Sequence, residues 1–185
     1  MKKIIFFACT FAAIAVSAGA QENPALRTII NHYAARNFTS GAVSKADLDL
    51  VIQAGIRSPS AANRQPWHFT VVQTPDLARR IVSNITEGNV LIVISAPGDG
   101  KTNGVQILDC ALAAQSIYLA AQALGLGSRI YTGPVDAVNS QLKSVLGLPA
   151  GHSVIVIVRI GRVAPVDTAS AASARNSADA LVTYK

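Results

Sequence analysis

Two stretches of the chain, Val90-Leu91-Ile92-Val93-Ile94 and Val154-Ile155-Val156-Ile157-Val158, are unbroken runs of aliphatic, mostly β-branched residues. A half-solvated strand alternates apolar and polar positions, so runs without alternation belong to strands covered on both faces. Both are therefore expected in the middle of a sheet flanked by helices. The longest helical segment, Val105 to Leu124, lies between them. Its residues Leu108, Leu112, Ala113, Ile117, Tyr118, Leu119, Ala121 and Leu124 occupy nearly the whole circumference. That pattern predicts burial all round and, in so short a chain, cover from another subunit. Gly125 and Gly127 are expected to end this helix.

Shorter elements fill the gaps. Leu26, Ile29, Ile30 and Tyr33 recur at helical steps and predict a helix over Pro24 to Ala35. Ser44 is a candidate cap, with Asp47 at the capping-box distance, for a helix whose apolar face is Leu48, Val51, Ile52 and Ile56. Trp67 to Gln73 reads as a strand, Pro75 to Ser83 as a short helix with Arg79 and Arg80 outward, and Pro134 to Leu146 as a helix opening at proline. Ala164 to Ala180 is rich in Ala and Ser, and only Leu181 to Tyr184 looks strand-like after it.

The first twenty residues stand apart. Met1-Lys2-Lys3 is a basic start, Ile4 to Val16 an apolar stretch, and Ala18-Gly19-Ala20 a small-residue cleavage site. This is the pattern of a secretory signal peptide cut before Gln21, which implies export through a Sec-type route to the periplasm or medium. The apolar stretch is short for a membrane span. Residues 21–185 then form one domain, with a tail from about 163 to 185. Losing Lys2 and Lys3 lowers the net charge from +6 to +4. With 50% hydrophobic and 14% charged residues the chain is no disordered tail. Its scattered charges lack the basic stripe of a nucleic-acid binder. Cys9 leaves with the signal, so Cys110 is the sole mature cysteine and reads as a buried, inert thiol. Three dispersed histidines offer neither a metal spacing nor a nucleophile–base arrangement.

Residues 58–69, Ser-Pro-Ser-Ala-Ala-Asn-Arg-Gln-Pro-Trp-His-Phe, are the informative stretch. Ser60, Asn63 and Gln65 crowd a turn between helix and strand, and the two amides offer donors and acceptors suited to the edge of a planar heterocycle. The alternative is a loop whose Asn and Ser satisfy their own backbone. The stretch resembles the hallmark Ala-Pro-Ser-x-x-Asn-x-Gln-Pro-Trp of the FMN-dependent nitroreductase family, with Ser58 in place of the first Ala. Arg36-Asn37-Phe38, the Leu119 to Gly127 stretch, and Leu146-Gly147-Leu148-Pro149 followed by Val154 to Gly161 match further family segments in the same order.

The resemblance implies an α+β fold, a central mixed or antiparallel sheet flanked by helices, in a homodimer with FMN at the subunit interface and a tail that wraps the partner. It implies an oxidoreductase in which flavin takes electrons from a small-molecule donor such as NAD(P)H and passes them, in a two-step cycle, to nitroaromatic or quinone-like acceptors. No side chain is expected to be catalytic. Arg36 would meet the FMN phosphate; Ser60, Asn63 and Gln65, following Pro59, would bond the ring system or ribityl chain. Thr132 and Gly133 would present backbone amides near the reactive face, and Arg175 would reach the phosphate.

Where the family opens Arg-Arg-Ser, this chain has His32, Tyr33 and Ala34. Losing charge-assisted contacts of that kind weakens phosphate binding and keeps open a non-catalytic flavin- or ligand-binding module. One further motif, Pro97-Gly98-Asp99-Gly100-Lys101-Thr102, lies between strand and helix like a phosphate loop, but it lacks the required first glycine and reads as a polar turn.

Overall fold

The structure, a computed structural model, describes residues 23–165 and 173–185. The expected signal peptide lies outside the described residues. The chain order is α1 (Pro24–Asn31), α2 (Lys45–Ile56), β1 (His68–Val72), α3 (Pro75–Ile81), β2 (Val90–Pro97), α4 (Gly104–Ala123), β3 (Gly127–Tyr131), α5 (Val135–Gln141), β4 (His152–Gly161) and α6 (Ala178–Leu181). The strands form one sheet in the order β1-β2-β4-β3, and every pairing is antiparallel. The two uniformly apolar runs are indeed the central strands.

Helices cover both faces of the sheet. On one, Ile92, Ile94, Val158 and Ile160 pack with Val51 of α2 and with Cys110, Ala114, Ile117 and Ala121 of α4. On the other, Leu91, Val93, Val154 and Ile157 pack with Ala78 and Ile81 of α3 and with Val138 and Leu142 beyond. The fold is α+β. The Ser44 hydroxyl caps α2 by accepting the Asp47 N–H at 3.0 Å, as its spacing predicts.

Several expectations change. α1 stops at Asn31, four residues before Ala35, because His32 is extended and the backbone of Tyr33 pairs with the side chain of Gln122. The helix expected over Pro134 to Leu146 is regular only from Val135 to Gln141. Leu181 to Tyr184 is no strand: Val182 N–H closes on the Ala178 carbonyl at 2.8 Å, ending a helical turn. α4 is not buried all round, since Val105, Leu108 and Leu112 remain exposed along its first half. α4 also has the length and apolarity of a membrane span, yet its inner face is packed against the sheet.

At the end of the sheet where β1 and β4 begin, His68 and His152 meet edge to face, with ring centroids 6.2 Å apart. His152 Nδ1 also lies 3.3 Å from the buried Ser95 hydroxyl. Burial first, and the neighbouring His68 second, hold His152 below its ordinary value of 6.5, with Ser95 opposing. The unfolded chain therefore takes up this proton more readily than the native one. Stability is full above the unfolded value and falls as pH drops through the histidine range. Urea denaturation at about pH 5 and about pH 7.5 should show the acid loss, and His152→Gln should shrink it.

Candidate functional site

The loop between α2 and β1 is built under strain. Three of its residues that are not glycine have left-handed backbones: Ala62 at φ 51°, Asn63 at φ 53° and Gln65 at φ 47°. Asn tolerates that region, but Ala and Gln do not, at a cost on the order of 1 kcal/mol or more each. Such a conformation persists only where neighbours impose it. The buried carboxylate of Asp109 on α4 accepts the Ala61 N–H at 3.0 Å. The Ser60 hydroxyl accepts the Gln65 N–H at 3.0 Å. Ser58, where the motif has Ala, is buried and bonds Ser116 of α4 at 2.8 Å. The loop is thus pinned at its start and left exposed over residues 61–65.

Part of the loop's polar capacity turns inward, as expected of a loop whose Asn and Ser satisfy their own backbone. Ser60 spends its hydroxyl on Gln65, whose amide donates to the Asn63 side chain at 3.2 Å. The Asn63 amide nitrogen is left with capacity to spare, whereas the backbone N–H groups of Ala61, Asn63, Arg64 and Gln65 are engaged by Asp109 or within the loop.

A second group gathers at the C-terminal end of α4. His32 stands edge-on to the Tyr118 ring at 5.6 Å. The Gln122 side chain pairs with both backbone groups of Tyr33, accepting its N–H at 3.2 Å and donating to its carbonyl at 2.9 Å. Ala35 is fully buried and donates its N–H to the Ser128 carbonyl, which leaves Ala34 and Arg36 exposed on either side. In the tail, the Arg175 guanidinium donates to the Ser173 and Ala174 carbonyls at 2.7 and 3.3 Å; burial raises the Tyr118 phenol above its ordinary value, and the Gln122 bond and the Arg175 charge oppose that rise. The corner therefore carries His32, Arg36 and Arg175, with an alanine where a hydroxyl was expected.

These two groups are not brought together within one protomer. Asp109, under the loop, and Tyr118, under the cationic corner, lie nine residues apart on α4, about 14 Å along its axis. Thr132 and Gly133 follow β3 at the end of the sheet away from Ser128, and both are exposed.

The Nitroreductase family profile matches residues 29–89 and 81–162. The chain belongs to the nitroreductase family. A protein of Archaeoglobus fulgidus provisionally named NADH dehydrogenase/NAD(P)H nitroreductase is 30% identical over 146 residues, covering 74% of this chain and 83% of that protein. The NADPH-flavin oxidoreductase of Vibrio harveyi is 25% identical over 160 residues, covering 75% of this chain and 65% of that protein. A nitroreductase with bound FMN from Desulfitobacterium hafniense DCB-2 shares the fold at a TM-score of 0.74 and 23% identity, covering 88% of this chain and 98% of that one.

Within this member of the family, residues that the sequence did not single out hold the site in shape. Asp109 and Gln122 are the polar residues by which α4 grips the loop and the 32–35 segment. Their signal was uneven: Asp109 is the one charged residue of α4, whereas Gln122 is one of its three glutamines. Cys110, next to Asp109, is buried, and burial with the Asp109 charge pushes its thiol up to about 12, so it is inert as expected. The phosphate-loop motif is occupied by its own side chains. Asp99 accepts the N–H groups of Lys101 and Thr102 at 2.8 and 2.9 Å, and Lys101 pairs with Asp136 at 2.9 Å. A phosphate there would displace a carboxylate, so the polar-turn reading stands.

Proposed function

We propose that this member of the nitroreductase family is an exported, homodimeric, FMN-dependent oxidoreductase. The observation that carries the reading is the strained, exposed loop over residues 60–65, which the Asp109 carboxylate anchors to α4 at Ala61. The residues fit the group: neutral amides at the loop suit a flavin ring, and His32, Arg36 and Arg175 suit its phosphate. Bound flavin would supply hydride or electron transfer. The chain's part is to hold the ring against Ser60, Asn63 and Gln65, to offer the Thr132–Gly133 backbone beside it, and to anchor the charged end at Arg36 and Arg175.

A second copy is part of the proposal. The two groups are separated along α4, and the exposed strip of Val105, Leu108 and Leu112 runs beside the loop. Laying that strip on a partner removes apolar surface from water and carries the partner's cationic corner toward the loop. The tail from about 163 onward would cover the same joint.

Export limits the donor. NADH and NADPH are cytosolic, so a protein secreted through residues 1–20 would draw electrons from another small molecule, while nitroaromatic or quinone-like compounds remain the acceptors. A non-catalytic flavin-binding module is the second reading, favoured by Ala34, which has no side-chain donor for phosphate.

The test is the visible spectrum of the purified protein before and after incubation with FMN and gel filtration. Retained flavin, reoxidised after chemical reduction by quinones or nitro compounds faster than free FMN, is the expected result. Retained flavin without that acceleration would support the binding module. A protein that takes up no flavin ends both readings.

A further inference from the structure

Resting on the reading that the corner at His32 takes the flavin phosphate, we propose that His32 makes recognition of that phosphate depend on a proton. The protein would distinguish FMN from riboflavin strongly when His32 is charged and weakly when it is neutral.

The inference starts from one contact. His32 Nδ1 lies 2.6 Å from the Ile29 carbonyl oxygen. A carbonyl only accepts, so Nδ1 carries the hydrogen. A neutral imidazole has a single N–H, and its other nitrogen is an acceptor. Neutral His32 therefore presents a lone pair at Nε2, which a phosphate oxygen repels. Only the imidazolium has a donor there. Turning the ring over is opposed by the loss of the Ile29 bond and by the edge-on contact with buried Tyr118.

The other groups around His32 each hold one charge state. On α4 it faces Tyr118, and beside it stands Tyr33; burial raises both phenols, which therefore stay neutral through the histidine range. Arg27 on α1, Arg36, and Arg175 from the tail contribute fixed guanidinium charge. Among the described residues the ion pairs join Lys45 to Asp49, Arg79 to Asp76 and Lys101 to Asp136, and none lies at this corner. An arginine in place of His32 would donate at every pH, so this chain has exchanged a constant contact for a conditional one. Histidine is the side chain whose charge ordinarily changes between about pH 5 and 8.

The experiment measures FMN and riboflavin affinities of the purified protein by fluorescence titration from about pH 5.5 to 8.5. The expected preference for FMN over riboflavin is roughly tenfold greater at the acid end than at the alkaline end. In His32→Gln it should be flat or fall on acidification, because the phosphate itself loses charge near a pKa of about 6. In His32→Arg it should stay high throughout. Riboflavin affinity, which involves no phosphate, reports whether each variant keeps its site. A preference that does not rise on acidification, or that rises equally in His32→Gln, overturns the inference while leaving the flavin reading intact. If neither flavin binds at any pH, the flavin reading falls and takes this inference with it.

Discussion

Asp109→Ala is expected to weaken flavin binding by roughly ten- to a hundredfold while the protein stays folded. The Asp109 carboxylate accepts the Ala61 N–H at the head of a loop in which Ala62, Asn63 and Gln65 are all left-handed. A hydrogen bond to a charged group contributes about 1.5 to 3 kcal/mol, comparable with the strain it restrains. Without it the loop relaxes toward ordinary backbone angles. Relief of strain offsets part of the lost bond, so the unfolding midpoint should move little. The binding geometry of Ser60, Asn63 and Gln65, by contrast, is lost. Asp109→Asn keeps an accepting oxygen and should recover most of the affinity. FMN titration beside thermal unfolding separates the two effects. Equal affinity in the alanine variant and the parent would show that the loop holds its shape without this anchor.

That anchor also shows where sequence legibility ended. The central strands were plain because Val90–Ile94 and Val154–Val158 have no polar interruption, and burial on both faces is the only use for such a run. β3 was not legible. Its buried positions are Gly127 and Ser128, which carry no hydrophobic signal. Gly127 is there because a Cβ would strike Val163 and Ala35, a contact set by residues far away in the chain. α6 reversed an expectation for a related reason: Leu181 and its neighbours have strand-like side chains but no strand partner among the described residues, so local helical bonds prevail. The motif residues of the loop were visible at once, whereas their left-handed geometry was not. Nothing in Ala62 or Gln65 announces a positive φ, which arises only when Asp109 and Ser58 clamp the loop to α4.

The exposed strip on α4 follows the same logic. The apolar composition of the helix predicted burial all round, but periodicity alone could not say which residues stay uncovered. Those residues, Val105, Leu108 and Leu112, lie on the half of α4 that also bears Asp109. Strained loop and uncovered strip share one helix half, and the cationic corner occupies the other. Under the proposed reading, such a split would make the complete site depend on pairing with a second copy, and would tie flavin affinity to protein concentration.

The largest stability effect is expected at Arg159. This residue ends the apolar run of β4, where a charge suggests a strand end reaching solvent, yet it is only 3% exposed. Its Nε donates to Asn89 at 2.8 Å and Nη2 to the Thr86 hydroxyl at 3.0 Å, and the guanidinium lies 3.9 Å from the centre of the Phe38 ring. All of these partners are neutral. The cation is thus held by dipoles and an aromatic face, and its removal strands buried Asn89, which packs so closely on Gly161 that a Cβ there would collide with it. Arg159→Ala should cost about 3 to 5 kcal/mol, combining lost charge-assisted bonds, the cation–π contact and a cavity, less the recovered hydration of the charge. For a chain this long that is a fall of roughly 10 °C or more in Tm. Arg159→Lys keeps the charge but loses the planar fork, and should fall between the two. Because Phe38 continues the segment that bears His32 and Arg36, the alanine variant should also loosen the cationic corner, weakening FMN more than riboflavin. Urea denaturation checks the first claim and paired flavin titrations the second. A loss under about 1 kcal/mol would mean that solvent replaces the guanidinium where the structure buries it.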